Sequence, residues 1–351
     1  MPLPERELIA RIRRAANTRA ANKGVVCGIG DDCAILRLPS GHEALLTTDF
    51  SLEDVHFRRS WHPAETVGHR CLTRGLSDIA AMGGDPLAAF LSLALPADLP
   101  QSWVDGFFRG FLALARRFKV TLAGGDIAQS PGMTASPLTR GRRRALLRRT
   151  ESTGKILADV MVLGSAPRGS AVLRSGACPG DDIFVTGSLG AASAVLHRLY
   201  RAPSQQTDFS TLPRTRLKAG DLKHYYPTPR VAVGRWLRER RLPSAMIDIS
   251  DGLSSELSHI CEESGTGAWV AAPAIPVAPG ATFDEALHGG DEYELLFTVP
   301  ASRHNRIPDR IAGVPIRWLG TITRKTGLWL VSADMKSRQP LERKGWEHFS
   351  G

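Results

Sequence analysis

Short acidic phrases, most of them bounded by glycine or set at predicted strand ends, run the length of this chain. They are Gly28-Ile29-Gly30-Asp31-Asp32, Thr47-Thr48-Asp49, Ser77-Asp78, Gly124-Gly125-Asp126, Asp248-Ile249-Ser250-Asp251-Gly252 and Gly289-Gly290-Asp291-Glu292. A fold that uses them together must bring carboxylates from both halves of the sequence to one place. Gathered carboxylates repel one another, and divalent cations relieve that repulsion. Hard cations such as Mg²⁺ take oxygen ligands and share them with phosphates. The first expectation is a magnesium–nucleotide site built from dispersed aspartates. Taken singly, each phrase also has a structural reading. Asp31 or Asp32 suits a turn, and Asp248 or Asp251 an N-cap for a helix starting at Leu253. The combination is far more specific than any one phrase.

Other nucleotide signatures are absent. Gly154-Lys155 lacks the upstream glycine and the trailing Ser/Thr of a phosphate loop, and Gly28-Ile29-Gly30 does not continue as a dinucleotide fingerprint. A nucleotide therefore has to be held through metal ions and backbone amides. No Ser/His/Asp order and no H-E-x-x-H pattern appears, which argues against nucleophilic hydrolysis and zinc proteolysis. His56 suits either a substrate contact or a half-buried strand position. His69 and His259 read as structural residues within helices.

The net charge of +10 is largely local. Thr134–Lys155 holds seven basic residues (Arg140, Arg142, Arg143, Arg144, Arg148, Arg149, Lys155) against Glu151 alone. A solvated loop is favoured over a nucleic-acid-binding segment there. The five cysteines form no C-x-x-C pair, so neither a disulfide framework nor a zinc site is expected, and a cytoplasmic setting with small buried thiols is. No stretch is long enough to span a bilayer, and no secretory signal is visible at the N-terminus.

At 351 residues, with 42% hydrophobic content, the chain is long enough for one large soluble domain or two ordinary ones. Helices are predicted over Glu5–Ala16, Pro63–Met82, Gln101–Lys119, Leu189–Tyr200, Pro229–Arg240 and Leu253–Glu263 from 3.6-residue apolar spacing. Strands are predicted at Cys33–Leu38, Ala44–Thr48, Ala88–Leu95, Val120–Ala123, Ile156–Leu163, Asp182–Thr186, Ala245–Ile249, Glu294–Val299, Ile316–Leu319 and Leu328–Val331. Ala202–His224 reads as loop-rich. The Pro/Gly punctuation at Pro167–Gly169 marks the expected boundary between domains 1–166, carrying the insert 134–155, and 167–351.

In order along the chain, the acidic phrases resemble those of thiamine-monophosphate kinase. Further matches are Val55-His56-Phe57, Leu76 to Gly83, Leu173-Arg174-Ser175-Gly176-Ala177 with Pro179-Gly180-Asp181, and Lys344-Gly345-Trp346-Glu347-His348-Phe349. The resemblance covers most of the chain, from about Gly28 to Phe349. It implies an α/β (α+β) two-domain fold like aminoimidazole ribonucleotide synthetase, with the N-terminal domain forming a β-barrel across a homodimer. It implies ATP-dependent phosphorylation of thiamine monophosphate to the diphosphate, the last step of thiamine diphosphate biosynthesis, with several Mg²⁺ ions. Asp32, Thr47, Thr48, Asp49, Asp78, Asp126, Asp248 and Asp251 match the family's metal ligands. Phe108, Gly125, Asp126, Arg174 and Ser250 match its ATP contacts, Phe108 replacing a frequent tyrosine. His56, Asp291 and Trp346 match positions touching thiamine monophosphate. Asp49, Asp126 and Arg174 are the residues expected to matter most for turnover.

Three departures stand out. Gly289-Gly290-Asp291-Glu292 replaces the usual Gly-Gly-Glu-Asp, so the substrate carboxylate is either shortened or supplied by Glu292. Ile127 stands where a threonine usually follows Gly-Gly-Asp. The basic insert lies between two nucleotide-contacting motifs. The number of magnesium ions and a K⁺ requirement stay open. The rivals are another ATP-dependent synthetase of the same superfamily, of selenophosphate or aminoimidazole ribonucleotide type, and a nucleic-acid-binding protein using the arginines. The selenophosphate reading is disfavoured because Cys27 has no lysine neighbour, and the nucleic-acid reading leaves the aspartates without a purpose. No membrane partner is expected.

Overall fold

The computed structural model describes residues 2–16, 24–29, 33–131, 154–201, 217, 219–334 and 336–346. Asp31 and Asp32, nearly all of the basic insert, and Glu347 to Phe349 of the C-terminal motif lie outside them.

The first half holds α1 (Glu5–Ala16), β1 (Val25–Cys27), β2 (Ile35–Leu36), β3 (His42–Leu52), α2 (Ala64–Ala81), β4 (Asp85–Leu95), α3 (Gln101–Phe118), β5 (Thr121–Gln129) and β6 (Leu157–Pro167). β1 and β2 form a small ribbon; the other four strands make a sheet ordered β3-β6-β4-β5. β3 and β6 pair antiparallel without interruption from His42↔Pro167 to Leu52↔Leu157, while β4 and β5 run parallel. Strand alternation sorts β3 by face. Leu45 and Ser51 are buried beneath α2, and Leu46 and Phe50 are 62% and 60% exposed on the far side. The predicted strand Ala44–Thr48 is thus too short: Asp49 lies within the ladder, not past its end.

α2 and α3 cross at unusually close range because glycine stands at the contact. A Cβ on Gly68 would fall 1.9 Å from the Phe107 carbonyl oxygen, and one on Gly110 1.8 Å from that of Glu65. Val67, Cys71, Leu72, Leu76, Phe107 and Phe111 seal the core between helices and sheet.

The second half holds β7 (Asp182–Thr186), α4 (Ala191–Arg201), α5 (Ala219–Tyr225), α6 (Val231–Glu239), β8 (Ala245–Asp248), α7 (Leu253–Ser264), β9 (Gly267–Ala271), α8 (Phe283–His288), β10 (Leu295–Val299), β11 (Arg310–Ile311), β12 (Val314–Thr323), β13 (Gly327–Val331) and β14 (Arg338–Pro340). Its sheet is ordered β14-β13-β9-β12-β7-β10-β8, with β11 paired to β12. Among the described residues no β-ladder joins this sheet to the first. α2 makes the link: its last residues, Ala80 and Ala81, share a core with Val231 and Leu237 of α6 and Phe297 of β10. α2 is consequently buried on nearly every side, polar residues included.

No helix among the described residues is long and apolar enough to cross a membrane. All five cysteines are free; Cys71 and Cys261 are buried as expected, but Cys33 and Cys178 are exposed.

Candidate active site

A cavity of about 710 Å³ opens between the two halves, within the span typical of small-molecule sites (roughly 300–1,000 Å³). Its wall includes Thr48, Asp49, His56, Arg70, Arg74, Ser250, Asp251, Asp291 and Trp346. Seven of the residues singled out by motif therefore face one space, drawn from β3, the turn after it, the β8–α7 loop, the segment before β10 and the C-terminal tail.

Acidic groups converge at one end. Asp49 reaches inward from β3 toward Asp78 of α2, and Asp248 ends β8 against the same helix. The Thr47 hydroxyl donates to Asp78 Oδ2, and the Ser77 hydroxyl donates to Asp248 Oδ2 at 2.6 Å. Burial, then the charge of Asp78, pushes the Asp49 carboxyl up from 3.8 to about 6, with Arg74 opposing the rise. Asp78 is raised by burial, with Thr47, Arg174 and Arg74 holding it back. Asp248 is raised well above its ordinary value, by burial and then by Asp78, with Glu256 and Asp49 adding to it. The three carboxylates thus feel one another in a partly dehydrated space. Asp49 Oδ2 is buried without a hydrogen-bond partner. A hard cation fits such a set: oxygen-only, crowded with negative charge, and left with an unsatisfied acceptor. Among the described residues no three His, Cys, Asp or Glu side chains already close on one point. Asp159 on β6, not singled out from sequence, also raises Asp49.

Thr48 borders the same cavity, but strand alternation turns its side chain to the face opposite Thr47 and Asp49. Neither Asp248 nor Asp251 caps α7. The N-cap is Gly252 at φ 122° and there is no side-chain cap bond, so the capping alternative is not what these aspartates do. Arg174 is close enough to Asp78 to lower its pKa.

Asp126 does not join the trio. The ladder aligns Asp49 with Val160, Val160 with Leu91 and Leu91 with Gly125, which sets Gly125 three strands away, roughly 14 Å at the usual strand spacing. Asp126 instead lines a second groove with Gly124, Gly125, Ile127, Phe108 and Ile12 of α1. Its Oδ1 accepts from the Ile127 N–H at 2.9 Å. Gly125, at φ 146°, would place a Cβ 1.9 Å from the Leu91 carbonyl oxygen, so no side chain fits there and the backbone is laid bare along the groove. β5 accordingly runs on through Gly124-Gly125-Asp126 instead of stopping before them. Phe108, Gly125 and Asp126, three of the expected ATP contacts, are thereby brought together.

Across Arg74 from Asp49, on the same cavity wall, Asp291 sits in the left-handed region, at φ 61°. Its Oδ2 accepts from Arg70 at 2.7 Å, and its Oδ1 from the Tyr293 hydroxyl at 2.6 Å and from Arg74 at 3.3 Å. Those cations hold the Asp291 carboxyl far below the usual carboxylate range, although burial opposes them. Arg70 also donates to the His224 carbonyl at 2.6 Å. Glu292 turns away: its Oε1 accepts from the Ala192 N–H at the start of α4, at 3.0 Å. Of the two candidate carboxylates, only Asp291 faces the cavity. His56 Nδ1 accepts from the Leu52 N–H at 3.0 Å, which leaves the proton of the neutral ring on Nε2.

Arg70, Arg74, His62 and His224 were not singled out from sequence. The two histidines are buried, with their Nε2 atoms 3.0 Å apart, and burial pushes His62 down to about 3. The available signal was spacing: Arg70, Arg74, Ser77 and Asp78 recur every three or four residues and share one helical face. His69, by contrast, bonds the Pro227 carbonyl at 2.7 Å and is structural as expected.

Residues 30–140 match the family of AIR synthase related proteins, N-terminal domain. A thiamine-monophosphate kinase of Salmonella typhimurium is 34% identical over 363 residues, covering 100% of this chain and 99% of its own length. One from Bacillus subtilis is 31% identical over 342 residues, covering 93% and 95%. The crystal structure of thiamine-monophosphate kinase from Stenotrophomonas maltophilia superposes with a TM-score of 0.74 at 30% identity, over 94% of this chain and 97% of that one. AaThiL complexed with AMPPCP and TMP superposes with a TM-score of 0.70 at 29% identity, over 99% of each. The hydrogenase maturation protein HypE shares the fold, with a TM-score of 0.71 at 17% identity.

Proposed function

This chain belongs to the thiamine-monophosphate kinase family, and from that premise we propose how its residues carry the reaction. The enzyme transfers the γ-phosphoryl group of ATP to thiamine monophosphate, giving thiamine diphosphate and ADP. The acceptor is a phosphate monoester whose second pKa is about 6. It is already a nucleophilic oxyanion at neutral pH, so no general base is required. What the protein must supply is in-line positioning and relief of charge between two polyanions.

Asp49, Asp78, Asp248 and Asp251 would hold Mg²⁺, with Asp32, Thr47 and Thr48 assigned to the same ions by motif and Asp126 serving the nucleotide groove. An ion held by these residues would supply positive charge to offset the negative charge of the two phosphate groups. Gly125 and Asp126 present backbone and carboxylate to the nucleotide beside Phe108, while Ser250 faces the cavity from the β8–α7 loop. Arg174, beside Asp78, adds a guanidinium able to grip phosphate oxygens two at a time. His56, Asp291 and Trp346 line the end left for thiamine monophosphate. Arg70 and Arg74 fix the Asp291 carboxylate as an anion, suited to a cationic or N–H-bearing substrate.

The carrying observation is Asp49, whose carboxyl is raised by burial and by Asp78 in a cluster with Asp248, on the wall of the same cavity as His56, Asp291 and Trp346. The test is formation of ADP and thiamine diphosphate from ATP, magnesium and thiamine monophosphate, with thiamine and other phosphomonoesters as controls. Equal turnover of unrelated phosphomonoesters would refute the specificity assigned to that end.

We read the chain as two domains, 1–166 and 167–351, because β6 ends at Pro167 and the sheets share no ladder among the described residues. We also propose a homodimer in which the outer face of the first sheet closes a barrel with its twin. Leu46, Phe50 and Leu157 lie exposed on that face, an apolar patch of the kind that marks association surfaces. The free thiols favour a cytoplasmic setting.

A further inference from the structure

Glu256 lies behind the Ser250–Asp251 part of the cavity wall. It lies in the first turn of α7 and is 2% exposed. Its Oε1 accepts three hydrogen bonds: from the Ser250 N–H at 3.3 Å, the Ser250 hydroxyl at 3.1 Å and the Asp251 N–H at 3.0 Å. The carbonyls of the same two residues serve the substrate end. Ser250 C=O accepts from the Asp291 N–H at 2.7 Å, and Asp251 C=O accepts from the Trp346 N–H at 3.1 Å. Two adjacent residues are therefore gripped by Glu256 through their amides and grip Asp291 and Trp346 through their carbonyls.

Both dependents need that grip. Asp291 stands at φ 61°, a conformation a non-glycine residue keeps only where its surroundings impose it. Trp346 is 57% exposed on the cavity wall. Gly345, just before it, sits so close that a Cβ would fall 2.1 Å from Ser255 Oγ and 2.3 Å from the Asp251 carbonyl oxygen. The tail is thus laid directly on the loop that Glu256 fixes. Glu256 Oε2, meanwhile, is buried and makes no hydrogen bond. A half-satisfied buried carboxylate opposes stability, which points away from a purely structural reason for an acid here.

We propose that Glu256 is a positioning residue that sets the Ser250–Asp251 loop, and through it aligns Asp251, one of the aspartates assigned to the metal, with Asp291 and Trp346. It touches neither substrate. The inference rests on the reading of the site given above, but its first test does not. In Glu256→Ala the amides of Ser250 and Asp251 should exchange with solvent at least about tenfold faster, since their acceptor is gone. Circular dichroism and exchange elsewhere should be unchanged. The KM for thiamine monophosphate and that for magnesium–ATP should rise together, each about tenfold or more. Glu256→Gln offers an amide oxygen to the same three donors and should stay within about threefold of the parent in all three readouts. If the alanine variant fails to fold, Glu256→Met fills the space without an acceptor and carries the same expectation. Unchanged exchange at Ser250 and Asp251 in a folded acceptor-less variant overturns the positioning role. So does a rise in only one KM, or a glutamine variant as impaired as alanine. A parent enzyme inactive toward thiamine monophosphate would sink the reading of the site and leave the exchange result to judge Glu256 by itself.

Discussion

Asp49 keeps a buried carboxylate oxygen with no partner, beside two further acids. Asp49→Ala and Asp126→Ala should each cut turnover by about a thousandfold or more while the circular dichroism spectrum stays that of the parent. Near-parental kcat in both would remove the metal assignment. The raised pKa has a second consequence. Between about pH 4 and 6 the folded Asp49 holds a proton the unfolded chain has lost. Without a cation, the fold therefore loses stability as pH rises through that window, and the loss is complete above it. Magnesium should raise the melting temperature by several degrees near pH 7.5 and hardly at all near pH 4.5; the opposite order would contradict the acidic cluster. The aspartates were legible because glycine and strand punctuation surround them. Arg70 was not, because an arginine inside a helical pattern reads as a solvated face, whereas this one is 4% exposed. Glu292 was an open alternative to Asp291 because chain order cannot say which of two neighbours faces a cavity. Arg70→Ala strands Asp291 without its shortest cation contact and should raise the KM for thiamine monophosphate at least about tenfold while destabilising the fold by about 3 kcal/mol, as steady-state kinetics and urea unfolding would report.

α2 is the element on which most of this depends, since it bears Arg70, Arg74, Ser77 and Asp78 and touches both sheets. Its seat against α3 requires glycine at the crossing. Gly110→Ala should destabilise the protein by about 1–3 kcal/mol, seen as a lower midpoint in denaturant. Long periodic helices were readable from sequence: α1 has the predicted bounds, and α2 and α3 lie within one residue of theirs at each end. Elements without such a pattern were missed. β9 is five residues of Gly-Ala-Trp-Val-Ala, too short to display a period, and α8 is six residues long. The capping box of Thr282 and Glu285 was the usable sign of α8. α5 fell inside a stretch read as loop-rich because its apolar residues pack locally with α4 and Trp61, not on a sheet.

For the whole molecule, the outer face of the first sheet is the feature that most needs a partner. Leu46→Asp combined with Phe50→Asp places like charges at the middle of the proposed dimer contact and should yield monomers by sedimentation; an unchanged assembly would reject that face. The alternation of strands and helices was legible from the residues, and the fold class from the family resemblance, but how the halves meet was not, because α2 is shared between two cores. One remaining consequence follows from where the basic segment departs and returns. A Cβ on Gly154 would lie 2.5 Å from Ser130 Oγ and 3.1 Å from the Pro131 carbonyl oxygen, and Lys155 pairs with Asp54 on the cavity wall. The exit and re-entry points therefore nearly coincide, so a bridge of a few glycines could replace everything between them without disturbing either flanking strand. Shortening the chain there is therefore expected to spare the frame around the opening through which two anions must pass.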